Sequence, residues 1–274
     1  MLRTLYLKYD YWRAFRPFDT FICAYPKTGN TWTRVFLGRY AQTLWSLPEM
    51  PLFDQPPVQP RPGMPKALFT HAPLEWDGQT SRALTTANVV TPFARGRVVV
   101  LVRHPLDTLL SSYMQLRTQV KSHNFSGTFT DFVDDPNWGL EKYLHYYNIW
   151  SMEKARTKAF LLQRYEDARV DPRAAFHRLI DFLGMPLDAA AFDDALAFSD
   201  FSSMQAMEKS GRGPVYKSSG LNIFASDETT RQSEEGLHVR KGKVSGYIEH
   251  LDAAARERFE DIIRRRLPAE YGYG

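Results

Sequence analysis

The passage from Phe18 to Leu37 constrains this chain more than any other. Phe18 to Ala24 is an apolar run that predicts a buried strand. Tyr25-Pro26-Lys27-Thr28-Gly29-Asn30-Thr31-Trp32 then carries a tight Pro/Gly turn, and Trp32-Thr33-Arg34-Val35-Phe36-Leu37 begins a pattern of helical period. In a strand–turn–helix, successive backbone N–H groups around Gly29–Thr31 converge at a helix N-terminus, which is an anion site. Lys27 adds a charge there, and Thr28 and Thr31 add hydroxyl donors. The ATP-binding Walker A loop needs two glycines separated by four residues, followed by Lys and Ser or Thr. Here one glycine follows the lysine, so the loop points to phosphate chemistry of another kind.

The rest of the chain repeats the alternation of strand and helix. Lys66 to His71 reads as a strand ending at Ala72-Pro73. Arg97 to Val102, bounded by Gly96 and Pro105, has the β-branched run of a parallel strand buried on both faces. Helices are expected over Leu106–Lys121, Leu140–Arg156 and Asp252–Arg266, with a strand over Lys158–Gln163. Asp171-Pro172 opens a further helix that Gly184 stops after Leu183. This order implies an α/β fold in which helices flank a central parallel sheet through right-handed crossovers. The prolines from Pro48 to Pro65 make 46–65 an irregular loop. Residues 210–236, rich in Gly, Ser, Lys and Glu, read either as a mobile lid or as plain disorder.

A chain of 274 residues with 43% apolar and 24% charged side chains has ample length for a core, and is read as one domain over 1–274. Its net charge of +4 suits a small polyanionic ligand at least as well as nucleic acid, and no nucleic-acid role is assigned. Cys23, the only cysteine, sits in the first expected strand and reads as a small buried hydrophobe. Met1–Arg16 lacks the continuous apolar segment of a secretory signal, and no stretch approaches the roughly 20 apolar residues that span a bilayer. Cytoplasmic folding is the simplest reading. Leu5, Tyr9, Trp12 and Phe15 fall at helical spacing, which suits packing against the domain, or else a membrane surface or partner.

Three segments join the opening loop. Arg103-His104-Pro105-Leu106-Asp107 leads to Ser111, at the edge where ligands meet parallel sheets. Arg103 and Ser111 can give a second phosphate a fork of N–H donors and a hydroxyl, or Arg103 can simply pair with Asp107. Leu237 to Lys243 holds Arg240-Lys241-Gly242, either an anion clamp or a solvated basic surface. His71 again stands at a strand's carboxyl end, where a base of near-neutral pKa belongs beside a reactive phosphate.

Together these segments resemble the PAPS-dependent sulfotransferases of cytosolic type, which use 3′-phosphoadenosine 5′-phosphosulfate. Tyr25–Trp32 is similar to that family's 5′-phosphosulfate loop, Arg103–Ser111 to its 3′-phosphate motif, and Arg240-Lys241-Gly242 to its Arg-Lys-Gly signature. Tyr165-Glu166-Asp167, Asp171-Pro172 and Phe182-Leu183-Gly184 resemble another recurring block. Ser199 to Met204 resembles the segment that contacts adenine. The matches run in family order from residue 20 to about 250.

The resemblance implies a P-loop-NTPase-like sulfotransferase fold, PAPS as co-substrate, the bisphosphate PAP as product, and no metal. It implies that Lys27 stabilises the leaving phosphate, while Thr28, Gly29, Asn30 and Thr31 cradle the 5′-phosphate. Trp32 and Phe201 would sandwich adenine, with Tyr165 and Ser199 at its edge. Arg103, Ser111, Arg240, Lys241 and Gly242 would bind the 3′-phosphate, and His71 would be the general base.

There are departures from the family pattern. Asn30 replaces a common Thr. Phe69 stands two residues before His71, where animal members commonly carry Lys. Lys243-Val244-Ser245-Gly246-Tyr247 replaces their Gly-Asp-Trp form, which suggests a bacterial-type branch. The animal dimer signature is not evident, so oligomeric state stays open. The acceptor, a hydroxyl or amine of a small molecule, lipid or glycan, would sit among the Pro-rich loop, Trp76, the lid and the helix Tyr143–Trp150, unless those helix aromatics are core. The competing readings are a P-loop nucleotide kinase and a non-catalytic PAP-binding protein.

Overall fold

The computed structural model of the protein describes residues 14–57, 60–74, 80–118, 125–211, 213–214 and 242–273. Four strands, β1 (Thr20–Ala24), β2 (Ala67–Thr70), β3 (Arg97–Val102) and β4 (Ala159–Arg164), form one all-parallel sheet in the order β2-β1-β3-β4. Thr20 pairs with Ala67 and with Arg97, and Val102 pairs with Arg164, so the strand ends that lead to the site lie along one edge. Helices α1 (Asn30–Leu44), α2 (Pro105–Thr118), α3 (Leu140–Glu153), α4 (Tyr165–Val170), α5 (Pro172–Leu183), α6 (Ala189–Phe198), α7 (Phe201–Ser210) and α8 (Ala253–Arg266) flank it. The expected α/β architecture is present.

The unbroken apolar runs of β1 and β3 have a simple cause. Alternate side chains of a strand point to opposite faces, and both faces here are covered. Phe21, Cys23, Val98, Val100 and Val102 enter a core with α2, α3 and α8. Ile22, Ala24, Val99 and Leu101 enter a second core with α1, α5 and α6. Phe36 of α1 stacks on Phe176 of α5 with centroids 3.9 Å apart. Cys23 is fully buried, and that burial pushes its thiol pKa well up, as a packed small hydrophobe requires.

Element ends differ slightly from the expected ones, for local reasons. Helix α1 starts at Asn30, two residues early, because Gly29 takes the left-handed N-cap conformation with φ 101°. The helix expected to reach Arg156 ends at Glu153 and tightens into a 3₁₀ turn over Lys154–Arg156. Asp171 accepts from the backbone N–H of Ala174 at 2.9 Å and caps α5, which Gly184 closes at φ 69°. The described part of the Pro-rich loop is irregular. Its Phe53 carbonyl accepts from the Phe69 N–H at 3.0 Å and so covers the outer edge of β2.

The closing basic triplet of α8 is spent within the fold. Arg266 forks onto Glu141 of α3 at 2.7 and 2.9 Å, while Arg264 and Arg265 pair with Asp261. Phe15 packs on Phe21 and Phe93. Leu5, Tyr9, Trp12, Trp76 and nearly all of 210–236 lie outside the described residues. Among the described residues no helix is long and apolar enough to cross a membrane.

Candidate active site

At the end of β1 the chain turns through two left-handed residues, Lys27 at φ 73° and Gly29 at φ 101°. A left-handed lysine is uncommon backbone, and it is held by its surroundings. The Thr28 hydroxyl donates to the Tyr25 carbonyl at 2.7 Å, and Tyr25 is buried against Tyr143, with centroids 5.1 Å apart. Gly29 offers no side chain to cap α1, and the first turn carries no carboxylate. The N-terminus of α1 thus keeps its positive end for a ligand. Thr28 and Asn30 are buried, and Thr31 and Trp32 are half-buried.

His71 follows β2, whose register sets it beside Ala24. Its Nδ1 lies 2.8 Å from the Ala24 carbonyl oxygen. A carbonyl only accepts, so Nδ1 carries the proton and Nε2 keeps its lone pair. Nε2 lies 3.3 Å from the Asn30 amide nitrogen, which donates to it. Although one edge meets solvent, the ring is closely surrounded, and its pKa is pushed down to about 4. Burial is the largest cause, the bond to Ala24 opposes it, and the charges of Arg34 and Lys27 lower it further. The imidazole is neutral at neutral pH, with its base nitrogen turned to the loop and accepting from Asn30.

The Arg103 side chain leaves the end of β3. Its Nη1 donates to the Lys27 carbonyl at 3.3 Å and its Nη2 to the Lys243 carbonyl at 3.1 Å, and the guanidinium lies 4.6 Å from the Tyr165 ring centroid. Its buried Nε has no hydrogen-bond partner among the described residues. Pairing with Asp107 does not occur. The Asp107 carboxylate instead accepts from the backbone N–H groups of Ser245 and Tyr247 at 2.7 and 3.2 Å, which ties the segment after Gly242 to α2. Ser111 stands half-buried one turn beyond Asp107 on the same helix.

Tyr165 is the hub of this half of the site. Its hydroxyl donates to the Gly242 carbonyl at 3.3 Å, and its ring meets Trp32 edge-on at 5.8 Å. A Cβ on Gly29 would lie 3.0 Å from the Tyr165 ring, and one on Gly242, at φ 54°, would lie 2.8 Å from Phe201. Both glycines are therefore required by close approach. Asp200 accepts from the Ser202 N–H at 2.9 Å and so fixes the start of α7, where Phe201 stands. Ser199 is 1% exposed, and its Oγ has no partner among the described residues. These contacts bring together Lys27, Gly29, Asn30, Trp32, His71, Arg103, Tyr165, Phe201 and Gly242, while Ser111 stands on α2 and Ser199 at the end of α6. Arg240 and Lys241 lie outside the described residues.

Sequence patterns did not single out several neighbours. Arg169 of α4 spans Trp32 and Phe201, 5.8 and 5.9 Å from their ring centroids. Leu74, Ser112, Phe132, Trp138 and the buried Lys142, with Pro26 of the loop itself, line a cavity beside it. The Lys142 ammonium lies 5.7 Å from the Trp138 ring centroid. The helix aromatics Tyr143, Tyr146, Tyr147 and Trp150 follow the core reading and not the acceptor one: all four are fully buried. They brace the strand end: Tyr147 donates to the Leu101 carbonyl at 2.7 Å, and Tyr143 donates to that of Arg103.

Comparison with known proteins shows the family. A family model described as the sulfotransferase domain matches residues 17–269. Flavonol 3-sulfotransferase of Flaveria bidentis is 22% identical over 92% of this chain and 83% of its own length. Sulfotransferase 2A1 of Rattus norvegicus is 24% identical over 91% and 84%. Among solved structures, a mouse sulfotransferase complexed with PAP superposes with a TM-score of 0.63 at 17% identity, covering 91% of this chain and 84% of that one. Retinol dehydratase in complex with androsterone and PAP gives 0.63 at 17%, covering 91% and 80%.

Proposed function

Because the chain belongs to the sulfotransferase family, we propose that His71 is the base with which it moves the sulfuryl group of PAPS to an acceptor hydroxyl or amine. One observation carries the assignment: Nδ1 is committed to the Ala24 carbonyl, which leaves Nε2 as the base nitrogen facing the phosphate loop. Sulfuryl transfer resembles phosphoryl transfer, a loose in-line displacement in which positioning and electrostatics supply most of the acceleration. The acceptor proton becomes acidic only as the new S–O bond forms. A base of low pKa therefore suffices late in the step, and His71 takes the proton at Nε2.

The residues present fit the donor. The unpartnered Nε of Arg103 and Oγ of Ser199 are buried donors that a ligand would satisfy. The two glycines let the Tyr165 and Phe201 rings close onto the backbone of the loop and of the segment at Gly242. In this reading Lys27 neutralises charge on the leaving phosphate, and Thr28, Gly29, Asn30 and Thr31 hold the 5′-phosphate. Arg103, Ser111 and Gly242, with Arg240 and Lys241, hold the 3′-phosphate. Trp32 and Phe201 take the two faces of adenine, with Tyr165 and Ser199 at its edge. The kinase and sensor readings give way to family membership.

For the acceptor we favour a small molecule with an apolar body, handled in the cytoplasm by a single domain. The cavity beside the phosphate loop supports this through Pro26, Leu74, Phe132 and Trp138. It holds about 20 Å³, space for one water, so an acceptor enters only when its walls part. The flavonol, retinol and androsterone in the relatives' names are of this kind.

The test uses labelled PAPS against a panel of phenols, steroids, lipids and sugars. Label should pass to an apolar alcohol or phenol with wild-type protein and not with His71→Ala. PAP should raise the melting temperature where ATP with Mg²⁺ does not. A protein stabilised only by ATP with Mg²⁺ overturns the reading.

A further inference from the structure

Phe69 stands where animal members commonly carry a lysine, so the strand itself brings no cation two residues before His71. The helix facing that strand does. Arg34 lies one turn beyond Asn30 on α1, and the two residues share a face. Asn30 reaches His71 Nε2 at 3.3 Å, and the Arg34 guanidinium sits 4.7 Å from the Phe69 ring centroid. The pair Asn30 and Arg34 thus lies along the pair His71 and Phe69, which share one face of the chain leaving β2. Arg34 is 4% exposed and Phe69 5%, so this charge is held deep in the fold. A helical side chain leans toward the N-terminus of its helix, which directs Arg34 back toward Asn30 and the phosphate loop. Among the positive charges acting on His71, that of Arg34 outweighs that of Lys27.

We propose that Arg34 supplies, from helix α1, the positive charge beside His71 that a lysine at position 69 would supply from the strand, and that Phe69 is the platform holding its guanidinium there. Retaining a charge in the interior costs stability that an apolar residue of similar length would not, and the Phe69 ring gives the cation an aromatic face to lie on. The charge acts on oxygens of the transferring sulfuryl group, which gather negative charge in the displacement, in the manner of an oxyanion-site donor. The inference rests on the sulfuryl-transfer reading above and adds a residue to it.

Arg34→Met, Arg34→Lys and Arg34→Met/Phe69→Lys test it. Removal of one such donor costs about 100- to 1,000-fold in kcat. Arg34→Met should lose kcat on that scale, while its KM for PAPS and the melting shift given by PAP change by less than about threefold. In the donor-free protein the His71 imidazole, followed by NMR, should titrate at higher pH in Arg34→Met than in wild type once the lowering charge is gone. Phe69→Lys added to Arg34→Met should recover at least about tenfold in kcat and bring the His71 titration back down. Arg34→Lys keeps the charge without the planar fork, and should hold kcat within about tenfold of wild type with His71 still low. It also decides the matter if Arg34→Met does not fold.

A folded Arg34→Met with wild-type kcat overturns the proposal. So does a loss of kcat with the His71 titration unmoved, or a folded Arg34→Lys as inactive as His71→Ala. An active His71→Ala beside an inactive Arg34→Met would instead remove His71 as base and leave Arg34 standing.

Discussion

The two ends of the site are built by different means. The sulfuryl end comes from one strand–turn–helix and the neighbouring strand: Lys27, Asn30 and Arg34 lie on a single stretch, and His71 is registered against it by β2–β1 pairing. The nucleotide end is gathered from distant segments. Arg103 leaves β3, Tyr165 opens α4, Phe201 opens α7, and the segment after Gly242 is held by Asp107, which accepts from Ser245 and Tyr247, 138 and 140 residues further along the chain. The first end is closely surrounded, and its burial, with the charges of Arg34 and Lys27 adding to it, depresses the His71 pKa. The second is a clamp of rings and glycines whose contacts act mainly on affinity. The expectation is a split: changes at the first end lower kcat, and changes at the second raise the donor KM.

His71→Ala should break the comparison most visibly. A positioned base contributes about 100- to 10,000-fold, so kcat should fall on that scale while PAP affinity stays within a few-fold. The same residue sets the pH behaviour. With a value near 4, the free enzyme should keep its kcat/KM on acidification well below the ordinary histidine value of 6.5. A bound anionic donor favours the imidazolium and raises that pKa. The acid limb of kcat should therefore lie at higher pH than the limb of kcat/KM. Folding follows the same sign: His71 gives its full contribution above pH 6.5, and loses it as pH falls toward 4, because the unfolded chain binds the proton first. Coincident limbs near pH 6.5 would remove His71 as the group responsible.

Arg103→Ala is the matching change at the other end. The guanidinium bridges the Lys27 and Lys243 carbonyls and keeps a buried Nε available. Hydrogen bonds to charged groups are worth about 1.5–3 kcal/mol, so the donor KM should rise roughly 10- to 100-fold, with kcat falling far less. An unchanged donor KM would sink the clamp assignment. A fall in kcat as large as that of His71→Ala would show that the two ends are not separable.

What could be read from the chain follows the same division. The loop, β3 and the Asp171–Gly184 helix were legible because their signals are local: a run of apolar residues, a turn glycine, a cap. His71 was legible only by its place at a strand end. Arg34 was not, because a buried arginine and a solvated one occupy the same helical period. Its burial depends on Phe69, which meets it only in the folded sheet. The spacing of Tyr143, Tyr146, Tyr147 and Trp150 is equally silent on whether a helix faces a ligand or a core. Their burial decides for the core, and the proposed acceptor lining is Phe132, Trp138 and their neighbours.

Arg169 gives the smallest expected effect and the finest division of the nucleotide end. Its exposed guanidinium spans the Trp32 and Phe201 rings at 5.8 and 5.9 Å, the two surfaces assigned to adenine. A cation at exposed aromatic faces is worth about 0.5–1 kcal/mol, so Arg169→Ala should change PAP affinity by only about two- to fivefold. The direction is informative. If the guanidinium occupies the slot, adenine must displace it and the alanine variant binds PAP more tightly. If it caps the stack from outside, the variant binds more weakly. Calorimetry with PAP for Arg169→Ala and for Phe201→Leu, alone and combined, separates these. A coupling term between the two positions places Arg169 on the adenine face, and strict additivity places it outside the slot.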